Sequence, residues 1–243
     1  MQLEPNTCIM RDDINGNIYD PNIHRPKSNQ PYQLIVLDPP YGKIAKGSWE
    51  HQGSDEILSR QLINLCHNLQ VCSHPGAALY VYGGYGTPKN RVFYKFMIDL
   101  EIRTRWQIAA HITWSKKRAY GVQTNYLSTR EEIAYCVLGN FKKPRVFNVP
   151  LLDEKRGYEG YDKKYPAKSE YKRRTMVWTD VTEILRGKVH ECEKPKRLSE
   201  IIIETSSNAG DLILDGFAGS RNCATVAEQL KRHVISIELN PLL

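Results

Sequence analysis

Leu34-Ile35-Val36-Leu37-Asp38-Pro39-Pro40-Tyr41 is the stretch on which the fold reading turns. Four consecutive apolar residues that stop at an acid suit a parallel strand buried on both faces. The two prolines then fix the backbone and leave carbonyls with no competing N–H close by. In open α/β sheets, ligands bind outside the carboxyl ends of the strands. Asp38 stands at such an end.

Residues further along the chain extend this pattern. Residues 55–72 read as a helix, because Leu58, Leu62, Leu65 and Leu69 form one apolar stripe after the acidic start at Asp55 and Glu56. His74-Pro75-Gly76 breaks it, a strand is expected over residues 77–82, and Gly83-Gly84 ends that strand. A helix over residues 88–99 precedes strands over 108–114 and 132–138. After residue 188 the alternation resumes. A helix runs to Ser206 with Leu198, Ile201, Ile202 and Thr205 on one face, a strand covers 212–214, a helix 222–231 and a strand 234–237. The first thirty residues are polar and turn-rich apart from a short strand around Thr7–Met10. Strands alternating with helices predict an α/β fold with a doubly wound, mostly parallel sheet.

The chain has 243 residues, room for one such domain and a modest extra lobe. No apolar stretch is long enough to span a bilayer, and Met1–Asn6 lacks the pattern of a signal peptide, so the expected location is the cytoplasm. The six cysteines are scattered, with no C-x-x-C pair, and read as reduced thiols. No His/Cys cluster has metal-ligand spacing, so no metal is expected. The net charge is +7. Most of that excess lies in residues 140–188, where 13 Lys and Arg face 7 Asp and Glu and the apolar spacing is irregular. There Tyr158, Tyr161, Tyr165 and Tyr171 interleave with Lys163, Lys164, Lys168, Lys172, Arg173 and Arg174. Cations neutralise phosphates and aromatic rings stack on exposed bases. A charged, solvated loop would read the same way.

Two motifs carry chemistry. In Asp38–Tyr41, a carboxylate and a backbone carbonyl can accept both hydrogens of an aromatic amine, and Tyr41 can stack on its ring. The plainer alternative is a Pro-Pro turn that only caps a strand. In Asp215-Gly216-Phe217-Ala218-Gly219-Ser220, small residues between a strand and a helix let backbone approach a ligand at the helix N-terminus. Glu238 closes the next strand, where an acid can hold the two hydroxyls of a ribose. An ordinary strand–helix turn and a surface glutamate remain the alternative.

Together these segments resemble the β-class amino-methyltransferases of DNA, in which a D-P-P-Y motif precedes the cofactor loop. Ser73–Gly84 is similar to the family's K-P-G-G-x-L-Y-V-F strand. Trp114-Ser115-Lys116, Gly121 and Glu131-Glu132-Ile133 resemble its W-x-K…G…H-E-x-I segment. Val177-Trp178, Asp180-Val181, His190, Lys194-Pro195 and Leu198 resemble D-V-W…H-P-x-x-K-P-x-x-L. The cofactor loop departs from D-P-F-x-G-S-G-T-T: Gly216 stands for proline, Arg221 for the last glycine and Asn222-Cys223 for the threonines. Thr7–Asp12 is similar to an opening strand ending in Gly-Asp, with Arg11 in place of the glycine.

The resemblance implies a Rossmann-like methyltransferase fold made of residues 1–139 (catalytic part), 140–188 (target recognition) and 189–243 (cofactor part). It implies methyl transfer from S-adenosyl-L-methionine to the N6 amine of adenine in double-stranded DNA. The expected catalytic residues are Asp38, Pro39, Pro40 and Tyr41. Asp215, Phe217, Ala218, Gly219, Ser220, Glu238, Lys194 and Asp12 would meet the cofactor. Lys163, Lys164, Lys168, Lys172, Arg173 and Arg174 would meet DNA. RNA adenine, cytosine N4 and a non-catalytic nucleic-acid-binding subunit stay open as alternatives, as does assembly as a homodimer or hetero-subunit. A dinucleotide-dependent oxidoreductase would explain the glycine loop but not Asp38–Tyr41.

Overall fold

The central strand shows why an unbroken apolar run was needed. In a computed structural model, Leu34 and Val36 face one core, packed on Leu198, Ile201, Ile202 and Ala224, while Ile35 and Leu37 face another, packed on Leu62, Leu65, Phe93 and Phe96. Alternate side chains point to opposite faces, so both sets must be apolar. The structure describes residues 10–26, 29–40, 55–84, 92–121, 123–124, 126–156, 169–184, 187 and 193–239.

The elements follow in the order β1 (Arg11–Asn15), β2 (Tyr32–Leu37), α1 (Asp55–Leu69), β3 (Ser73–Gly83), α2 (Val92–Arg103), β4 (Trp106–Tyr120), β5 (Ser128–Leu138), β6 (Leu151–Lys155), β7 (Tyr171–Arg173), β8 (Val177–Trp178), α3 (Lys196–Ser206), β9 (Leu212–Gly216), α4 (Asn222–Gln229) and β10 (His233–Glu238). Eight strands form one sheet in the order β1-β10-β9-β2-β3-β5-β4-β8, and β6 pairs with β7 in a second. The pairings from β1 through β3 are parallel, those of β5 with β3 and β4 are antiparallel, and β4 with β8 is parallel. Helices α1 and α2 bury one face and α3 and α4 the other, which makes the sheet doubly wound and mostly parallel.

The topology fixes where a site can be. From β2 the chain winds outward to β3; from β9 it winds the other way to β10. Strands β2 and β9 are neighbours, with Leu37 opposite Gly216, so the switch in direction lies between them. A crevice opens at the carboxyl ends of strands where the winding reverses. Both Asp38 and the 215–220 loop leave the sheet there.

Several boundaries differ from the sequence reading. Helix α1 ends at Leu69, a 3-10 turn covers Gln70–Cys72, and β3 begins at Ser73, before the His74-Pro75-Gly76 segment expected to separate helix and strand. The strand tolerates Pro75 because its register against β2 shifts there. Gly76 sits at φ +78°, and a Cβ on it would lie 2.8 Å from the Arg145 backbone nitrogen. Strands β4 and β5 run well past their apolar centres, since ladder hydrogen bonds hold their charged ends. Of the expected strand at Thr7–Met10 only Met10 is described, just before β1, which spans Arg11–Asn15 and is held by parallel pairing to β10. Residues 7–9 lie outside the described residues, as do 88–91 of the second predicted helix.

The segment 140–188 is not wholly irregular. It contains β6, β7 and β8, and β8 belongs to the main sheet, where Trp178 lies opposite Trp114. The Trp114 indole donates to the Val181 carbonyl at 2.7 Å and locks this return onto the sheet. Among the described residues no helix is long and apolar enough to cross a membrane.

Candidate active site

Strand register alone brings the expected site residues to one corner. Leu37 and Ile237 both lie opposite Gly216, and Asn15 lies opposite Glu238. The residues just past these ends, Asp38, Phe217, Glu238 and Gly16, therefore line up along the sheet's carboxyl edge. They open on a cavity of about 230 Å³. Its lining includes Asp38, Pro39, Pro40 and Tyr82 at the β2 and β3 ends, together with Lys194. Ile18 and Tyr19 line it beside Phe217, Gly219 and Glu238. Asp215, Ala218, Ser220 and Asn222 line it as well.

The 215–220 loop is shaped by close packing. A Cβ at Gly216 would lie 2.2 Å from Ile18 Cδ1 and 2.7 Å from Leu37 Cδ2, so the position accepts no side chain without moving both neighbours. The loop then turns through positive φ at Phe217, Gly219 and Arg221. The Gly219 N–H donates to Glu238 Oε2 at 2.8 Å, tying the loop to the end of β10. The Phe217 ring meets Tyr19 edge-on, with centroids 5.7 Å apart.

Asp215 is buried beneath the loop. Burial pushes its carboxyl up to about 7; donation from the Ala224 N–H (3.2 Å) and the Ser236 hydroxyl (3.4 Å) works against this, and the charges of Asp38 and Glu238 add to it. Four acids, Asp38, Glu193, Asp215 and Glu238, line the cavity, against Lys194 as the only Lys or Arg among the described lining residues. Such a cavity favours a ligand with positive charge.

Lys194 is bound to the first motif: its ammonium lies 2.7 Å from Asp38 Oδ2 and 3.4 Å from Glu131 Oε2. Glu131 also pairs with Lys116. Burial alone would raise the Glu131 carboxyl, but the charges of Lys194 and Lys116 outweigh it and hold the group below the usual carboxylate range.

None of Asp12, Arg174 and Arg221 lines the cavity. Asp12 lies within β1 opposite Ile235 and is not among the lining residues; four residues later, past the strand's end, Gly16-Asn17 reaches the cavity. Arg174 is turned inward, with its side chain 3% exposed, its guanidinium paired with Asp180 at 2.7 Å and set over the Trp178 ring. Its charge is thus already balanced within the fold and holds the 174–180 turn. Arg221 takes the left-handed conformation at the N-cap of α4 and pairs with Asp13 at 3.1 Å, so it points to β1 and not into the cavity. Lys172, on β7, pairs with Glu154 on β6, and Arg173 beside it is exposed. Tyr41, Lys163, Lys164, Lys168, His190, Tyr158, Tyr161 and Tyr165 lie outside the described residues.

Residues 32–242 match the family model described as DNA methylase, of the N6/N4 methyltransferases. The chain belongs to this DNA methylase family. Among curated relatives, the DNA adenine methyltransferase YhdJ of Escherichia coli is 31% identical over 226 residues, covering 85% of this chain and 71% of that protein. The type II methyltransferase M1.MboII of Moraxella bovis is 29% identical over 238 residues, covering 87% and 86%. The crystal structure of the M1.HpyAVI–SAM complex superposes with a TM-score of 0.62 at 18% identity, covering 96% of this chain and 95% of the other. That likeness concerns the fold.

For this DNA methylase, the site residues missed in the sequence are Gly16–Tyr19, Lys116 and Glu131. The first set was hidden in a polar turn. Lys116 and Glu131 were visible only as members of the W-x-K and E-E-I segments, with nothing to say that they meet.

Proposed function

We propose that the protein transfers a methyl group from S-adenosyl-L-methionine to the N6 amine of adenine in duplex DNA. The observation that carries this reading is the shared cavity. An acceptor carboxylate and the Pro39 carbonyl at the end of β2 face, across the switch point, a glycine loop and a strand-end glutamate.

The residues present fit the cofactor. Glu238 supplies an acceptor for ribose hydroxyls, Phe217 and Ile18 supply apolar walls, and the acid-lined cavity suits a cationic sulfonium and its ammonium group. When bound, the cofactor supplies a methyl group on an already activated sulfonium.

The chain's own residues do the rest. The target base must leave the duplex stack to reach the cavity. Its amine nitrogen is a poor nucleophile because the lone pair is delocalised into the ring. Hydrogen bonds donated by the amine to Asp38 and to the Pro39 carbonyl localise that pair and aim it. Asp38 need not be a strong base, since the nitrogen becomes acidic as it is methylated and its proton can pass to the carboxylate or to solvent. The contribution is chiefly positioning and electrostatics. Tyr41 stacks on the ring, and the exposed cations of β6 and β7, with Lys163, Lys164 and Lys168, contact phosphates.

The direct test is a nucleoside digest of DNA and of RNA after incubation with the protein and the cofactor. N6-methyladenine in the DNA alone is expected. N4-methylcytosine, or methyladenine confined to RNA, would overturn the substrate assignment.

Two further results are expected for the cofactor. Burial raises the Asp215 carboxyl from its ordinary value of 3.8 to about 7, so it is mostly protonated at pH 6 and mostly ionised at pH 8. A group raised in this way contributes stability that is full below its unfolded value and lost as pH rises through 7. A cation bound nearby favours the ionised form, so binding at pH 6 must expel a proton and binding at pH 8 need not. Affinity measured by calorimetry should therefore rise about tenfold from pH 6 to 8, and Asp215→Asn should flatten the rise. Arg221→Gly should leave the dissociation constant within about twofold, as expected for a side chain outside the cavity. A tenfold change would mean that Arg221 reaches the cofactor.

A further inference from the structure

Lys194 arrives at the cavity by a route that its sequence neighbours do not suggest. Its backbone is held at the entry to α3, where its carbonyl accepts from the Asn222 amide at 3.0 Å. The same amide donates to Glu193 Oε1 at 2.7 Å. The first residue of α4 therefore fixes the root of the Lys194 side chain. At the other end the ammonium sits between Asp38 and Glu131, 5.3 Å from the centre of the Tyr82 ring. The side chain is 15% exposed and that of Glu131 10%. Lys116, which also holds Glu131, lies over the Trp114 ring at 5.0 Å. Charges thus alternate along Asp38, Lys194, Glu131 and Lys116, running from the end of β2 to the facing ends of β5 and β4.

This chain of charges answers a problem that the cavity poses. The terminal torsion of an aspartate is broad, and Asp38 shares its cavity with Glu193 and Glu238, and with Asp215 once that group ionises. Like charges at short range would push its carboxylate out of any one orientation. A lysine held from behind by a second carboxylate removes that freedom. The whole arrangement is half-buried to buried, where breaking one partner leaves a charge uncompensated.

We infer that Lys194 is a positioning residue for Asp38: by binding Oδ2 it sets the plane of the carboxylate presented to the target amine, while Glu131 and Lys116 keep Lys194 in place. The inference rests on the reading of Asp38 as the acceptor of that amine. It differs from the assignment of Lys194 to the cofactor, because the lysine's ammonium is bound by the Asp38 and Glu131 carboxylates.

The test compares Lys194→Met, Lys194→Arg and Glu131→Gln in the full chain. Turnover at saturating cofactor is measured alongside the DNA KM and the cofactor dissociation constant by calorimetry. Lys194→Met should lower kcat about 100-fold, the cost of a misplaced reacting group, with cofactor affinity and DNA KM within about threefold of wild type. Lys194→Arg should recover most of the loss, and Glu131→Gln should lose about tenfold in kcat. Full turnover in Lys194→Met would overturn the inference. So would a cofactor constant weakened tenfold or more with kcat unchanged, which would make Lys194 a cofactor ligand. If Lys194→Met does not fold, Glu131→Gln decides: unchanged kcat there overturns the inference. An inactive wild-type protein would instead overturn the reading of Asp38, and this inference with it.

Discussion

Asp38→Ala is expected to lower methyl transfer by on the order of 10³-fold while the protein stays folded and still binds its cofactor. The reasoning is geometric. Asp38 follows the last residue of β2 and stands at the switch point, where the cavity opens. Its carboxylate is the side-chain acceptor that the first motif offers an amine there. Removing it takes away an interaction that strengthens as the nitrogen gains positive charge, so the loss belongs in kcat. The fold should survive, because Asp38 lies beyond the buried strand and takes no part in the two cores. Its loss removes one of the carboxylates bound to Lys194, which still faces Glu131, so a modest change in stability should accompany the change in rate. Asp38→Asn separates the two effects. It keeps an acceptor oxygen but not the charge, and should retain more activity than the alanine variant. Rapid-quench turnover of both proteins, with circular dichroism for folding, is the check. Equal activity of Asp38→Ala and wild type would remove Asp38 from the mechanism.

Glu238→Ala should weaken cofactor binding about 100-fold, from the loss of charge-assisted hydrogen bonds worth about 3 kcal/mol together. The carboxylate ends β10, lines the cavity and accepts the Gly219 N–H at 2.8 Å. It therefore does two things: it offers oxygens to ribose hydroxyls, and it holds the neighbouring 215–220 loop that also lines the cavity. Glu238→Gln keeps one acceptor for the loop and should fall between alanine and wild type. Calorimetric titration with the cofactor reads all three. A dissociation constant unchanged in Glu238→Ala would show that the ribose is not held there.

How much of this was legible in the sequence follows from the range of the interactions. Leu34–Leu37 announced a doubly buried strand because burial on two faces leaves no polar position. Leu198, Ile201, Ile202 and Thr205 announced α3 by their spacing, and all four are buried. Asp38, Asp215 and Glu238 were legible because each ends or adjoins such a strand. The residues that were missed depend on distant partners. Gly16–Tyr19 look like any polar turn, and reach the cavity only because β1 pairs with β10 at the other end of the chain. Arg174 looks like a member of a basic run, but a carboxylate six residues later, on Asp180, draws it inward. His111 had no evident partner in the sequence, yet lies 3.0 Å from Glu132 across the β4–β5 ladder. Lys194 and Asp38 are 156 positions apart, and no local pattern relates them.

The central claim is most directly tested by incubating the protein with S-adenosyl-L-methionine carrying a labelled methyl group and unmethylated duplex DNA. Label recovered as N6-methyladenine is the predicted result. A folded protein that binds the cofactor but leaves the DNA unlabelled would contradict it.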